Sequence, residues 1–245
     1  MSQTQNSETQ NTKAPTLANG YLTRTANQPV FGVKRPLWRD DDNHSTLLDE
    51  KFATLRTEIL QRDNYTCRFC GFKAAKFQEF HHLDHDHENC SKDNLVTSCN
   101  LCHQVNHLGA CAMGSRGVFV SNQELTQTEI NNIARAIYVN EFLGNKDVCD
   151  KLTSLTASFN FRGSDTLKLV FGGEIITVLE IATILADVTN ISDELYAKRA
   201  ELLAPLKLFP TKNSFKDGQL EYYAANNRAL FLPENWSALT RQLVM

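Results

Sequence analysis

The sequence lacks long hydrophobic runs. No apolar stretch approaches the roughly 20 residues that a membrane-spanning helix needs, and the longest candidate, residues 175–188, is interrupted by Glu180 and Asp187. The first 19 residues are polar and contain no hydrophobic signal segment. These absences argue against direct insertion into a membrane and against export, and they predict a cytoplasmic protein.

An excess of basic residues is also missing. The chain has 25 Lys and Arg against 28 Asp and Glu, which gives a net charge of −3. Residues 62–110, which contain most of the cysteines and histidines, have five basic and six acidic residues. Tight, extended binding of nucleic acid normally shows as a basic excess, so the composition weighs against that class of function.

The seven cysteines are not distributed like a disulfide framework. Their number is odd, and five of them, together with six of the seven histidines, fall between residues 67 and 107. In a reducing compartment, cysteines that are clustered in this way favour a metal site over disulfide bonds.

Two Cys-x-x-Cys pairs lie in this window, Cys67 with Cys70 and Cys99 with Cys102. Two such pairs form a tetrahedral zinc site, and Gly71 suits the tight turn because glycine adopts positive φ at no cost. The 28 residues between the pairs are enough for a small hairpin. The alternative is four unrelated buried or redox cysteines. The other three cysteines are predicted to be small apolar side chains: Cys90, Cys111 and Cys149.

The N-terminal third contains a polar tail and then ordered elements. Residues 1–28 are rich in Gln, Asn, Thr and Ser, so they cannot bury enough apolar surface to fold and are predicted to be disordered. Residues 29–42 include Phe31 and Val33 and are predicted to be an ordered arm that packs on the domain. Residues 45–62 carry apolar side chains at helical spacing and are predicted to form a helix.

The remainder of the chain is predicted to be mainly helical. Residues 118–120 resemble a short strand, and Thr126 with Glu129 forms a capping box at the start of a helix. Further helices are predicted at residues 175–186 and from Ser192 to near Pro205, and residues 209–245 mix short helical patterns.

The histidines and one asparagine between and after the cysteine pairs occur in the order of the HNH endonuclease motif, which this segment resembles: His81, His82, Asn94, His103 and His107. The resemblance implies a hairpin followed by a helix (a ββα, treble-clef-type module), separate from the four-cysteine zinc. It also implies that His82 is the general base and that Asn94 holds the hairpin loop. His81 and His103 would bind a catalytic divalent ion such as Mg²⁺, Mn²⁺ or Ni²⁺, with His107 as a third ligand; its i, i+4 spacing from His103 places both on one helix face.

A second resemblance covers roughly residues 36–225. The segments that carry it are similar to the IcmJ/DotN family of type IVB secretion and IncI-type conjugation systems: residues 61–72, 94–97, 124–130, 158–162 and 208–210, together with Trp38 and Phe215. Family membership implies an HNH-like zinc fold used as a structural adaptor. The zinc ligands would be Cys67, Cys70, Cys99 and Cys102.

The resemblance also implies partners. Family members associate with the type IV coupling protein, an ATPase at the inner membrane, and with other transfer-system subunits. The expected location is therefore cytoplasmic and peripheral at the inner membrane.

These observations together predict an α+β protein in three parts. Residues 1–28 form the tail, residues 29–122 the arm, a helix and the HNH-like zinc module, and residues 123–245 a mainly helical region. The predicted function is a zinc-stabilised adaptor of a coupling-protein complex. The alternative is a metal-dependent HNH endonuclease that cleaves DNA phosphodiester bonds, and only this alternative requires nucleic acid as a partner.

Overall fold

The computed structural model describes residues 28–33, 50–85, 89–122, 125–154, 157 and 177–235, which combine helices with two small antiparallel sheets. The helices are α1 (Glu50–Arg62), α2 (Asn100–His103), α3 (Leu108–Met113), α4 (Gln127–Phe142), α5 (Val178–Ala186), α6 (Asp193–Ala197), α7 (Arg199–Leu202) and α8 (Gln219–Asn226). The strands are β1 (Gln78–His82), β2 (Leu95–Cys99), β3 (Gly117–Ser121) and β4 (Leu206–Pro210). The predicted mixture of helix and strand is confirmed at this level.

Strands β1 and β2 form the hairpin that the spacing between the two cysteine pairs predicts. They pair antiparallel, from Gln78 opposite Cys99 to His82 opposite Leu95. All five residues of β2 are buried, because α1 packs on the hairpin from one side and α2 begins directly where β2 ends. The order along the chain is therefore strand, strand, helix.

Strands β3 and β4 form a second antiparallel pair, from Gly117 opposite Pro210 to Ser121 opposite Leu206. The strand at residues 117–121 is as predicted, but β4 lies where only helical patterns were expected. A Cβ atom at position 117 would lie 2.6 Å from Leu208 Cδ1, so the buried Leu208 side chain would have to shift to make room for a larger residue there. This pairing joins residues on both sides of the predicted boundary at residue 122, and the division into parts stays a prediction.

The largest buried apolar cluster among the described residues surrounds β3 and β4. Its members come from the N-terminal arm, the 3₁₀ turn Gln104–Asn106, α3, α5 and both strands: Phe31, Val33, Val105, Leu108, Cys111, Phe119, Val178, Ile181, Ala182, Leu185, Leu206 and Leu208. Phe31 packs edge-on against Phe119 with ring centroids 5.3 Å apart. The prediction that the arm packs on the domain is thus confirmed for its first residues, while residues 34–42 and the predicted tail up to residue 27 lie outside the described residues.

The helix boundaries follow local capping signals. Helix α4 begins at the predicted capping box, in which Thr126 accepts from the Glu129 N–H and the Glu129 carboxylate accepts from the Thr126 N–H. A second box, Thr177 with Glu180, starts α5 and was not predicted. Of the helix expected at residues 45–62, residues 50–62 are helical and residues 45–49 lie outside the described ranges.

The single helix predicted from Ser192 to near Pro205 is instead two short helices, α6 and α7, that meet at Lys198. Residues on both sides of this junction contact the arm. The Tyr196 hydroxyl donates to the Val33 carbonyl and accepts from the Val33 N–H, both at 3.0 Å, and Arg199 Nε donates to the Phe31 carbonyl at 2.7 Å. The arm is therefore hydrogen-bonded to both short helices.

Within the described ranges, no helix has both the length and the apolar character that crossing a membrane requires.

Candidate metal centres

The first cysteine pair sits on a tight turn directly after α1. The Cys67 N–H donates to the Phe72 carbonyl at 3.0 Å, and the Gly71 N–H donates to the Cys67 carbonyl at 2.9 Å. Gly71 has φ of +70°, the left-handed conformation that the sequence predicts for this glycine. The turn directs the Cys67 and Cys70 side chains to the same point.

The second pair brings its sulfurs to that point from the end of the hairpin. Cys99 is the last residue of β2 and precedes α2, and Cys102 lies one turn into that helix. All four sulfurs lie within 4.8 Å of one another, and no disulfide joins any of the seven cysteines. The structure therefore brings together the four residues that the sequence singles out.

The geometry of the four-cysteine cluster fits zinc. A tetrahedral ion with Zn–S bonds of about 2.3 Å holds its sulfurs about 3.8 Å apart, and Cys70 Sγ lies 3.7 Å from Cys99 Sγ. A set of four cysteine sulfurs is one of the donor sets that structural zinc sites use. The cluster could thus hold a metal ion, with Cys67, Cys70, Cys99 and Cys102 as the ligands.

Helix α4 supplies two polar side chains to this cluster that sequence analysis missed. Asn131 Nδ2 lies 3.3 Å from Cys102 Sγ, and Arg135 Nη2 lies 3.2 Å from Cys99 Sγ. Burial lowers the pKa of the Arg135 guanidinium, the Cys99 and Cys70 sulfurs raise it, and the net shift is upward. The available signal was the i, i+4 spacing of Gln127, Asn131 and Arg135, which are all buried on α4.

The remaining cysteines lie outside the cluster. Cys111 is fully buried in the core around β3 and β4, and burial raises the pKa of its thiol to about 12. Such a thiol is inert at neutral pH, as expected for a small apolar side chain. Cys90 and Cys149 are half-buried.

Three histidines form a second cluster beside the first. His81 lies on β1, His103 ends α2 and His107 follows the 3₁₀ turn Gln104–Asn106. One ring nitrogen of each lies within 4.8 Å of the others, and His103 Nε2 lies 3.1 Å from His107 Nε2. Imidazoles around a tetrahedral zinc have nitrogens about 3.4 Å apart. The structure therefore brings together the three histidines that the sequence suggests as ligands of a second metal.

Glu79 orients this histidine cluster. Its Oε2 lies 2.7 Å from His103 Nδ1, and its Oε1 lies 2.6 Å from Lys216 Nζ. Burial raises the pKa of the Glu79 carboxyl, His103 and Lys216 lower it, and the net pKa lies well below its ordinary value. An ionised carboxylate accepts a hydrogen from Nδ1, which leaves the His103 Nε2 lone pair directed at the cluster. Sequence analysis missed both partners, although Glu79 shares a face of β1 with His81.

Asn94 closes the end of the hairpin. Its Nδ2 donates to Asp84 Oδ1 at 2.8 Å and to the Asn89 carbonyl at 2.9 Å, while its Oδ1 accepts from the Asp84 N–H at 3.0 Å. These bonds give Asn94 the loop-holding geometry that the sequence suggests. His85 is exposed in this loop with φ of +63°, and His87 lies outside the described residues.

His82 does not join the histidine cluster. It is the last residue of β1, only 6% exposed, and its ring packs on Phe80 with centroids 5.6 Å apart. The His81 ring instead contacts His103 and His107, at 5.3 and 6.2 Å between centroids. Since successive strand residues point to opposite faces, His82 lies on the other side of β1 from the possible metal ligands.

These features define a mixed α/β protein in which a tight turn after α1 and the strand–strand–helix segment that follows it together form a four-cysteine cluster able to hold a metal ion. No family model matches the chain. The chain is, however, 31% identical over 183 residues to the type 4 apparatus protein DotN of Legionella pneumophila, and the match covers 73% of this chain and 82% of that protein. The chain belongs to the DotN (IcmJ) family.

Proposed function

We propose that this protein is a subunit of a type IV secretion apparatus, in which it acts as a zinc-stabilised adaptor. The observation that carries the proposal is the relationship to the type 4 apparatus protein DotN, which extends over most of both chains. Two further observations support it. The residues around the cysteine cluster have no basic excess for binding nucleic acid, and the cluster chemistry fits a structural ion.

We further propose that the segment from β1 to α2 is an HNH-like module and that its docking partner is the coupling ATPase of the inner membrane. The order of strand, strand and helix supports the module, as do the positions of Asn94 and the histidines relative to the hairpin. In this proposal zinc stabilises the fold of the HNH-like module. The surface of the protein, and not the metal, contacts the other subunits.

Co-purification tests the adaptor proposal. A tagged chain, expressed at its natural level and extracted in mild detergent, is expected to retain the coupling ATPase together with other subunits of the apparatus. A Cys102→Ser variant serves as the matched control and is expected to lose these partners, because its module loses zinc. A wild-type chain that stays monomeric and retains no subunit of the apparatus contradicts the proposal.

Metal-dependent endonuclease activity is the second candidate function, and the cluster of His81, His103 and His107 with Glu79 beneath it is the observation that favours it. The position of His82 weighs against it. A general base must reach the water that it activates, and His82 is buried on the opposite face of β1. The adaptor therefore remains the better supported function.

Plasmid nicking separates the two functions. Purified protein incubated with supercoiled DNA and Mg²⁺, Mn²⁺ or Ni²⁺ is expected to nick no faster than a His103→Ala variant, which loses a possible metal ligand. His82→Ala is expected to behave like the wild type. Nicking by the wild type that disappears in both variants would establish the endonuclease instead.

A further inference from the structure

A buried cation lies against the cysteine cluster. Arg135, on the inner face of α4, is only 2% exposed. Its Nη2 donates to Cys99 Sγ at 3.2 Å and reaches Cys70 Sγ at 3.9 Å. The guanidinium carbon lies 4.0 Å from the centre of the Phe72 ring, which covers its other side. The guanidinium is therefore enclosed between an aromatic ring and two sulfurs.

The other contacts of Arg135 leave its charge without a carboxylate partner. Nη1 donates to the neutral amide oxygen of Asn132 at 2.6 Å, and Nε has no hydrogen-bond partner. In the described part of the chain, no Asp or Glu forms an ion pair with Arg135. An isolated buried charge costs several kcal/mol, and buried charges in proteins are therefore paired. The sulfurs are the available counter-charge.

Four protonated thiols are neutral and cannot balance the positive charge of Arg135. Four thiolates around one divalent ion carry a net charge of −2 and can balance it. Arginine guanidinium is suited to this position because it stays ionised under all ordinary conditions and donates in a fixed plane. The burial of Arg135 is thus an observation, independent of the cysteine spacing, that calls for negative charge on the sulfurs.

Asn131 extends the same contact to another sulfur. Its Nδ2 lies 3.3 Å from Cys102 Sγ and 3.2 Å from the Leu101 carbonyl, and Gln127 Nε2 fixes its side-chain oxygen at 2.9 Å. Asn131 and Arg135 are four residues apart and share one face of α4. That face provides N–H donors to three of the four sulfurs, as outer partners of metal ligands commonly do.

We propose that Arg135 is the counter-cation of the cysteine-bound metal and that it makes the docking of α4 depend on that metal. The inference rests on the proposal that the four cysteines hold zinc. Without the ion, nothing gathers the four sulfurs under α4, and the Arg135 guanidinium loses the sulfur partners against which it is buried. Helix α4 also packs on β4 and α8. The metal would therefore link the C-terminal half of the protein to the segment that carries the four cysteines.

Zinc competition with a chromophoric chelator tests the role of Arg135. An Arg135→Met variant, which keeps the aliphatic packing and removes the charge, is expected to bind zinc about 10- to 100-fold more weakly than the wild type. Arg135→Lys keeps the charge but loses the planar fork, so an intermediate affinity is expected. Lys146→Met, which removes an exposed cation just beyond α4, is the matched control and is expected to bind zinc as the wild type does.

A measurement on the wild type guards against misfolding of the variants. Amide hydrogen exchange before and after zinc removal is expected to show loss of protection in α4 that exceeds the loss in α5. Unchanged protection of α4 after zinc removal, or an Arg135→Met variant that binds zinc as tightly as the wild type, overturns the inference. A wild-type protein that binds no zinc at all overturns instead the proposal that zinc occupies the cysteine cluster.

Discussion

Replacing Cys102 with serine is expected to release zinc and to unfold the module around the cysteine cluster. Cys102 is fully buried, and its sulfur lies within 4.8 Å of the other three. A serine hydroxyl stays protonated at neutral pH and is not among the ligands that zinc selects. Structural zinc contributes on the order of 10 kcal/mol to the folding of small zinc domains, as much as the whole stability of a typical domain. Zinc content and urea unfolding followed by circular dichroism measure the effect.

Two other cysteines provide matched controls for this substitution. Cys111→Ser buries a hydroxyl at a site that is just as enclosed but lies outside the cluster, so a loss of about 1–3 kcal/mol with full zinc content is expected. Cys149→Ser changes a half-buried side chain and is expected to alter stability by less than about 0.5 kcal/mol. A Cys102→Ser protein that lacks zinc and still unfolds at the wild-type urea concentration contradicts the structural role of the metal.

The features that the sequence predicts well depend on neighbouring residues. The capping box at Thr126 and the positive φ at Gly71 each follow from a few consecutive residues, and the hairpin follows from the 28 residues between the cysteine pairs. Local geometry determines these elements, because the hydrogen bonds that define them close within one turn or one hairpin. The same holds within each cysteine pair, since a tight turn places Cys67 and Cys70 and the junction of β2 with α2 places Cys99 and Cys102.

The features that the sequence does not reveal join distant segments. Strand β4 pairs with residues that lie nearly 90 positions earlier, and Lys216 reaches Glu79 across 137 positions. No local pattern near residues 206–210 distinguishes a buried strand from a short apolar helix. Likewise, the contacts of Asn131 and Arg135 with the sulfurs can be inferred only once α4 is known to pack on the cysteine cluster.

The position of His82 shows a signal that was present and could have been used. Once residues 78–82 are taken as a strand, the two-residue period places His81 and His82 on opposite faces. Only one of them can then face His103 across the end of the hairpin, and the contacts of the His81 ring show which one does. A general base on the opposite face of β1 would need a different route to a substrate at the histidine cluster. The strand period alone therefore argues against His82 as the general base.

Replacing Leu208 with alanine is expected to destabilise the protein by about 2–5 kcal/mol, the range for buried leucines in well-packed cores. Leu208 is fully buried in the largest apolar cluster, between residues of the arm, α3 and α5. Its backbone is fixed by Gln127, which donates to the Leu208 carbonyl at 2.7 Å and accepts from its N–H at 2.8 Å. The backbone therefore cannot move to fill the space that the missing side-chain atoms leave. Urea unfolding gives the loss directly.

The expected zinc content distinguishes this loss from the effect of Cys102→Ser. Leu208 and the cysteines belong to different buried clusters, so Leu208→Ala is expected to retain its zinc at neutral pH even though it unfolds at a lower urea concentration. Leu202→Ala removes the same atoms from a side chain that is 54% exposed and is expected to change stability by less than about 0.5 kcal/mol. Equal losses in the two leucine variants would show that β4 does not pack in the core. A zinc-free Leu208→Ala variant would instead show that the core around β4 and the metal module fold as one inseparable unit.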